Sequence, residues 1–498
     1  MVSTALKSAL LFVISQAAAE TIVTDVTSLD FSESKSSSFP WKMSLTLYGL
    51  SFLPSLFSMN ALFWDDWIWF NHQTGILLNS NYSGNGSAPW RKFIEVFIFQ
   101  SSLPIFRIVS FVCYFAAGYF LFHILKRSKS INSQQLVMIT LLFLVIPVNS
   151  ARISIVCSIY GINLFFFFLA WYLYETKSQT IAKILAYLFF FLSYSALPFP
   201  TFTLLPILYH VMLKSPNNLS ECLRQLVRTA PLLSLPIVYL TVRQNYWPPT
   251  GGPAVMYTPQ LLGVARALLF ISVCSIPLLF QFASTRFIKL KKPNLLVTGG
   301  CFSVAIAALP YMVGGHLVDI SDWLVAFIPN FSDWHSRHQL TLSLGISLII
   351  VGSIKIKETE KLRWNTYPVL TTLLAIFVIL NITFAQEYFL DGKKQSAVIE
   401  AMASSPDLKT VKSIYIDDQA VRFNARGRLI RSYEWVGMLE KALGGTAVKV
   451  SYLQYPNCNE FQPDAILHIS APNGRLESTL RRSVAINISV ERINPCGN

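Results

Sequence analysis

Apolar stretches alternate with short polar segments along the first 385 residues of the chain. A helix needs about 17–25 mostly apolar residues to cross the hydrocarbon core of a bilayer. The pattern therefore predicts a mostly α-helical, polytopic transmembrane bundle of about eleven spans. They are expected near residues 43–60, 104–124, 134–149, 158–174, 183–197, 200–213, 229–242, 259–281, 294–313, 339–354 and 366–384.

The pattern changes at about Gln386. Beyond it, short β-branched and partly alternating segments predict strands, and two segments have helical spacing. We expect strands at 411–417, 447–455, 465–469 and 484–490, and helices at 394–404 and 433–443. The chain thus divides into a transmembrane domain over 43–385 and a small C-terminal α/β domain over 386–498.

Residues 1–42 form a third segment. Met1 to Ala19 has one Lys, an apolar run and three consecutive Ala, which is typical of a signal peptide. Cleavage there would place residue 20 outside and oppose the charge distribution of the later loops. We favour an uncleaved interfacial helix followed by a polar connector.

Composition supports a membrane protein, since 53% of residues are hydrophobic and 13% are charged. A soluble domain usually carries about 25% charged residues. The net charge of +14 has a topological explanation, because alternate loops hold 19 Lys and Arg whereas the opposite loops hold seven. Positive loops stay in the cytoplasm, so the N-terminus is expected inside and the C-terminal domain outside. Nucleic-acid binding is not indicated.

Two cysteines, Cys458 and Cys496, are the only ones in the predicted outer domain. An oxidising compartment favours a disulfide between them. No spacing of Cys and His indicates a structural metal site.

The segment after the first apolar stretch carries the most informative residues, Asp65 and Asp66, next to Trp64 and Trp67. Adjacent carboxylates at a membrane surface are costly unless they are solvated, paired or used. Either a functional pair or a solvated helix end fits, and the Trp residues could be an interfacial belt. In the following loop, Glu95 would lie on the polar face of an amphipathic helix.

A second polar cluster precedes a late span, within residues 314–338. Arg can fork onto phosphate oxygens, so we favour phosphate recognition, with a hydrated loop or a metal site as alternatives. Two isolated cations, Arg152 and Arg243, and the aromatic pair Tyr246 and Trp247 fall on the same predicted side. The cluster comprises His316, Asp319, Asp322, Trp323 and Asp333-Trp334-His335-Ser336-Arg337-His338, and its candidate site residues are Asp322, Asp333, His335, Arg337 and His338.

This arrangement resembles the GT-C class of polytopic glycosyltransferases, which have an acidic motif in the first outer loop. Phe63-Trp64-Asp65-Asp66-Trp67 stands in that position, and Ser336-Arg337-His338 precedes a late span. Within the class, the chain is most similar to bacterial serotype-converting O-antigen glucosyltransferases. The hydropathic similarity covers residues 43–385 and leaves the C-terminal domain and residues 1–42 unexplained.

The resemblance implies transfer of a sugar, with glucose favoured, from a polyprenyl-phosphate donor to a lipid-linked saccharide such as O-antigen. It implies an inverting single displacement at the outer face of the bacterial cytoplasmic membrane. Asp66 would be the general base, and Asp65 would orient the acceptor or hold Mg²⁺ or Mn²⁺. Arg337, His338, Arg152 and Arg243 would bind the donor phosphate. Substrate contacts would come from Trp64, Trp67, Glu95, Asp322, Asp333, His335, Tyr246 and Trp247.

Three rival hypotheses remain at the level of sequence. A flippase or other transporter of lipid-linked saccharide would place charges inside spans and often shows internal repeats. An O-antigen polymerase would favour a large late outer loop with Arg. A structural assembly partner would need no catalytic residue.

Overall fold

The fold is seen in a computed structural model. It describes residues 38–71, 76–77, 88–93, 103–128, 130–196, 198–210, 219–248, 261–266, 268–269, 272, 294–313, 341–354, 368–445, 449–452, 463–474, 477–478 and 484–492. Most of this part is helical, and a small sheet lies near the C-terminus. The predicted combination of helical bundle and C-terminal sheet is therefore confirmed at this coarse level.

The helices named within these ranges are α1 to α14 in chain order, and four of them are long and apolar enough to cross a membrane. These four are α4 (Leu103–Leu125), α6 (Ile155–Thr176), α11 (Leu295–Val313) and α13 (Pro368–Ala403). The other helices of the helical part are α1 (Trp41–Phe52), α2 (Asp66–Trp69), α3 (Pro89–Lys92), α5 (Ser133–Val145), α7 (Thr180–Ser193), α8 (Phe199–Phe202), α9 (Leu204–Leu208), α10 (Leu219–Tyr246) and α12 (Ser343–Ser353). The last helix, α14 (Ser432–Leu443), lies in the C-terminal part.

The expectation of about eleven spans is not supported by the described residues. Proline explains part of the difference. The first predicted span ends as an α-helix at Phe52, where Pro54 begins a 3-10 turn over Leu53–Ser58. Likewise, α5 ends before Pro147, which begins a second 3-10 turn over Pro147–Ile153. Proline has no N–H to donate and its ring clashes with the carbonyl four residues earlier, so apolar runs that contain it form shorter α-helices.

Small residues allow the helices to pack closely. A Cβ at Gly300 would lie 2.8 Å from the carbonyl oxygen of Gly345, and one at Gly345 would lie 2.9 Å from that of Gly300. These two glycines bring α11 and α12 into backbone contact. Such contacts are typical of helices that associate in membranes, where apolar burial alone does not drive helices together.

The C-terminal sheet has the strand order β4-β3-β5-β6. Its strands are β3 (Ser413–Asp418), β4 (Lys449–Tyr452), β5 (Ala465–Ser470) and β6 (Asn487–Arg492), while β1 (Phe70–Asn71) and β2 (Ile76–Leu77) form a separate short pair. β3 pairs in parallel with β4 and β5, and β6 is antiparallel to β5. Buried apolar residues of β3 and β5 pack with Trp435 and Met438 of α14. All four strands coincide with predicted ones.

Helix α13 joins the two parts of the molecule. It runs for 36 residues without interruption and passes Gln386, where composition changes. Its second half carries two buried charged residues, Asp391 and Lys394. The C-terminal module therefore continues a membrane-type helix directly, with no intervening linker.

Candidate functional site

Residues 61–69, which we call the acidic loop, contain the predicted acidic motif. Trp64 has φ of +51° and is 2% exposed. A left-handed backbone is rare for a bulky residue and persists only where surrounding contacts impose it. Here the Trp64 N–H donates to Oε2 of Glu434 at 3.1 Å, and its ring packs against Tyr388. The strained backbone of Trp64 therefore lies within the predicted acidic motif.

Asp66 is buried and accepts hydrogen bonds on both carboxylate oxygens. Oδ1 accepts from the Ser154 hydroxyl at 2.6 Å and from the Val156 N–H at 3.0 Å. Oδ2 accepts from the N–H groups of Phe63 and Ile155, each at 3.0 Å. Asp66 therefore caps the N-terminus of α6 from a distant loop, where the helix dipole favours a negative charge.

Burial raises the pKa of Asp66, while Arg107 and the hydrogen bonds from Ser154 and α6 oppose that shift. With four donors on two oxygens, Asp66 has little capacity to receive a proton from a substrate hydroxyl or to coordinate a metal. This geometry disfavours the general-base role expected for Asp66 and gives it a role in the fold. The neighbouring carboxylate has a different environment.

Asp65 is only partly buried. Its Oδ1 accepts a hydrogen bond from the Tyr433 hydroxyl at 3.0 Å. Burial raises the pKa of Tyr433, and the nearby Asp65 carboxylate raises it further, so the phenol stays protonated and able to donate. Of the two predicted acidic residues, Asp65 is the one that keeps access to solvent.

A cleft that is open to solvent lies beside the acidic loop. Tyr388 connects the two, because it lines the cleft and its ring centroid lies 5.2 Å from that of Phe63 and 5.5 Å from that of Trp64. The walls come from α1, α4, α13 and both 3-10 turns of the helical part. They comprise Tyr48, Ser51, Phe52, Ser55, Leu56, Arg107, Ser110, Phe111, Arg152, Ile153, Asn381, Phe384, Ala385 and Tyr388.

Arg107 uses its donors within the protein. Its guanidinium donates to the carbonyl oxygens of Ser58, Met59, Ala61 and Ile153. These contacts tie α4 to the chain that enters the acidic loop. Arg107 therefore orders the loop, and a ligand would have to compete with four backbone acceptors.

Arg152 lies in the same cleft and differs from Arg107 in the surroundings of its two Nη atoms. Both Nη atoms are buried and have no hydrogen-bond partner within the described part of the chain. The guanidinium lies over the ring of Phe52 and 5.0 Å from the ring centroid of Tyr114. Tyr48 is also near: its hydroxyl donates to the Phe111 carbonyl at 2.8 Å, and its oxygen favours the charged form of Arg152. Burial lowers the pKa of Arg152, which reflects the cost of keeping a cation there.

A second polar atom in the same cleft is also unused. The Ser51 hydroxyl is buried and has no hydrogen-bond partner among the residues that are described. Buried donors normally find acceptors, so such groups require an explanation. A phosphate would supply acceptor oxygens to both Ser51 and Arg152 and would offset the charge of the guanidinium.

The other predicted site residues fall in several places. Trp67 is buried, and its Nε1 donates to the Leu62 carbonyl at 3.0 Å. Tyr246 is 75% exposed at the end of α10, and the Trp247 ring packs at 5.2 Å from that of Trp90. Arg243 lies on α10 and is not among the residues that line the cleft.

Several predictions concern residues outside the described part of the chain, which stay predictions. They are Glu95, Asp322, Asp333, His335, Arg337, His338, Cys458 and Cys496. Within the ranges that are described, no group of three or more His, Cys, Asp or Glu is arranged to hold a metal ion. A role for Mg²⁺ or Mn²⁺ therefore stays a prediction as well.

Three residues of this region were missed by sequence reasoning. Arg107 could have been found, because an ionisable residue inside an apolar stretch is costly and signals a specific partner. Tyr433 and Glu434 carry no such signal, since their partners lie 368 and 370 residues away in the chain.

No protein-family model, curated protein or solved structure matches this chain. The similarity to GT-C glycosyltransferases therefore rests on the acidic motif and the hydropathy pattern. Any functional conclusion must come from the acidic loop and the cleft beside it.

Proposed function

We propose that this chain is a GT-C-like membrane glycosyltransferase that moves a sugar from a polyprenyl-phosphate donor to a lipid-linked saccharide. The observation that carries the proposal is the buried guanidinium of Arg152, whose two Nη atoms have no hydrogen-bond partner in the described residues. It lines a cleft next to an acidic loop. A guanidinium in a cleft that adjoins a loop with a partly exposed carboxylate suits a reaction in which a phosphate leaves and a hydroxyl attacks.

In this mechanism, Arg152 and Ser51 bind the donor phosphate within the cleft. The polyprenyl chain remains among the apolar helices, and the sugar faces the acidic loop. Asp65 accepts the proton of the acceptor hydroxyl as that oxygen attacks the anomeric carbon, and the polyprenyl phosphate leaves with the electrons of the broken bond. One displacement inverts the anomeric carbon. Asp66 holds the loop against α6 and takes no proton.

The finer assignments follow from the resemblance. They are glucose as the sugar, O-antigen as the acceptor, and a multi-pass location in the bacterial cytoplasmic membrane. They also include a cytoplasmic N-terminus and an outer C-terminal module. In that orientation the acidic loop faces outward, where lipid-linked saccharides are modified. A reporter fused after residue 498 is expected to be active only when exported.

The test is sugar transfer by the purified full-length protein in proteoliposomes. The donor is a radiolabelled polyprenyl-phosphate glucose, and the acceptor is a lipid-linked saccharide. Loss of a general base typically costs about 10²–10⁴-fold in rate, which is the range expected for Asp65→Asn. Arg152→Lys is expected to slow transfer by about tenfold or more, because a point charge replaces a planar fork.

Arg422→Lys is the matched control, since Arg422 is exposed on the C-terminal module and donates to two carbonyls there. Its transfer rate should be unchanged. Normal transfer by both Asp65→Asn and Arg152→Lys would remove this site from consideration. Movement of the lipid-linked saccharide across the bilayer without sugar transfer would support the transporter alternative, which also needs a cation in a cleft.

A further inference from the structure

The C-terminal module contacts the acidic loop through two hydrogen bonds that come from adjacent residues of α14. The Glu434 carboxylate accepts from the Trp64 N–H at 3.1 Å. The Tyr433 hydroxyl donates to Asp65 Oδ1 at 3.0 Å. One contact fixes the strained backbone of the loop, and the other fixes its partly exposed carboxylate.

Two glycines bring helices against the loop on either side. A Cβ at Gly437 of α14 would lie 2.6 Å from Cε3 of Trp67. A Cβ at Gly392 of α13 would lie 2.8 Å from Cβ of Ala61. Real Cβ atoms essentially never approach other atoms that closely, so the two helices leave no spare room for the loop.

The position of Glu434 is itself fixed by buried charges. Arg428 Nη1 donates to both oxygens of Glu434 at 2.9 Å, and its Nε donates to Asp391 of α13 at 2.7 Å. The guanidinium carbon also lies 5.2 Å from the centroid of the Trp64 ring. Arg428 thereby joins α13, α14 and the acidic loop into one unit.

We propose that Tyr433, Glu434, Gly437 and Gly392, which we call the clamp, are an integral part of the candidate active site, with Tyr433 as the positioning residue for Asp65. The catalytic part of this inference rests on the proposed function. The clamp holds Trp64 in its left-handed conformation, and that conformation directs Asp65 toward Tyr433. The C-terminal module is thus part of the site, in contrast to an independent docking domain.

Tyr433 also affects the charge on Asp65. A hydrogen bond donated to a carboxylate favours the ionised form, which is the form that accepts a proton. Removing the hydroxyl weakens that preference. The acid limb of a transfer-rate profile then moves to higher pH, which is an effect that a purely structural contact would not produce.

The first measurement needs no substrate. Hydrogen–deuterium exchange of residues 61–69 is followed in the full-length solubilised protein. Tyr433→Phe is expected to speed exchange about two- to tenfold, as loss of one hydrogen bond predicts. Gly437→Ala is expected to exceed that increase, because its methyl group displaces the Trp67 ring.

Each variant has a matched control. Ser432→Ala changes the exposed neighbour of Tyr433 on the same helix. Gly299→Ala changes a glycine of α11 at which an added Cβ meets no atom within 4 Å. Both controls should leave exchange in residues 61–69 unchanged. Unchanged exchange in both Tyr433→Phe and Gly437→Ala would overturn the clamp.

The second measurement is the pH profile of sugar transfer. Tyr433→Phe should shift the acid limb to higher pH, whereas Ser432→Ala should not. Faster exchange with an unshifted profile would show a structural contact only and would overturn the positioning role. Absence of transfer by the unmodified protein would count against the proposed function, while the exchange measurement would still decide whether the clamp exists.

Discussion

Two regions of this molecule each bury an arginine, and they treat it in opposite ways. In the C-terminal module, Arg428 is held between Asp391 and Glu434, with side-chain distances of 2.7 and 2.9 Å. In the cleft of the helical part, the Nη atoms of Arg152 face aromatic rings and have no hydrogen-bond partner in the described residues. The Arg428 guanidinium has carboxylate partners, whereas neither Nη atom of Arg152 has an acceptor among the described residues.

The difference separates a structural charge from a ligand-binding one. Burying a cation is costly, and the cost is offset only when the site supplies acceptors. Arg428 has its acceptors, Asp391 and Glu434, within the protein. Its ion pairs therefore form when the chain folds and need no ligand. The Nη atoms of Arg152 have no such acceptors within the described residues, so they can donate to the oxygens of an anionic ligand.

The largest expected change in the free energy of unfolding follows from replacement of Arg428. Arg428→Met leaves the carboxylates of Asp391 and Glu434 buried without their cation. Breaking a buried pair in this way typically costs about 3–5 kcal/mol in the free energy of unfolding. Denaturant unfolding of the purified protein, followed by tryptophan fluorescence, measures it. Arg422→Met is the exposed control and should lower the free energy of unfolding by about 1 kcal/mol or less. Equal losses in Arg428→Met and Arg422→Met would contradict a structural role for the buried pairs of Arg428.

The next effect concerns Asp66, whose carboxylate oxygens accept four hydrogen bonds within the protein. Asp66→Asn directs an NH₂ group at two of the four donors, at least one of them a backbone N–H, because each carboxylate oxygen now accepts two hydrogen bonds. Unsatisfied buried donors cost about 1–3 kcal/mol each, so a loss of about 2–4 kcal/mol is expected. Asp65→Asn should lose much less while abolishing transfer. The reverse order of thermal midpoints would restore Asp66 as the candidate base.

Replacement of Arg152 is expected to change the free energy of unfolding by less than replacement of Arg428, and in the opposite direction. Arg152→Met replaces a buried cation that has no carboxylate partner within the described residues with an apolar side chain of similar length. The free energy of unfolding should stay constant or rise by about 1–2 kcal/mol. Addition of a polyprenyl phosphate should raise the thermal midpoint of the unmodified protein and leave that of Arg152→Met unchanged. Strong destabilisation by Arg152→Met would mean that this cation belongs to the fold.

The smallest effect involves charges that remain in contact with solvent. His468 contacts Asp417 at 2.8 Å and Glu491 at 3.1 Å, across β3, β5 and β6. The hydrogen bond with Asp417, supported by the one with Glu491, raises the pKa of His468 above its ordinary value of 6.5.

A raised folded-state pKa means that the stabilisation is complete below pH 6.5 and is lost as pH rises through the folded value. Thermal midpoints measured from about pH 6 to about pH 8 should therefore fall slightly. His468→Gln should remove that part of the slope. A slope that persists in His468→Gln would assign the pH dependence to other groups.

The parts of this architecture that sequence predicted are those in which neighbouring residues determine the outcome. The four C-terminal strands follow from local alternation of β-branched residues. The acidic loop follows from two carboxylates placed directly after an apolar stretch. Helix lengths were predicted less well, since Pro54 and Pro147 shorten apolar runs that composition alone reads as spans.

The different roles of Asp65 and Asp66 could not be predicted, because they depend on contacts with residues far away in the chain. Asp66 is buried by the start of α6, whose Ser154 lies 88 residues further on. Asp65 and Asp66 are adjacent and chemically identical, so only tertiary packing distinguishes them. Arg152 was predicted as a phosphate ligand from its isolation, and its unused donors became visible only in three dimensions.

The contact between Trp64 and Glu434 joins residues separated by 370 positions, and this has a consequence for biosynthesis. Ribosomes add about 5–20 residues per second, so roughly 20–70 s separate the synthesis of the two partners. The apolar helices between them leave the ribosome first, and the acidic loop acquires its acceptor only afterwards. The candidate site therefore matures only after the whole helical part has been synthesised, and a nascent chain interrupted before residue 434 never completes it.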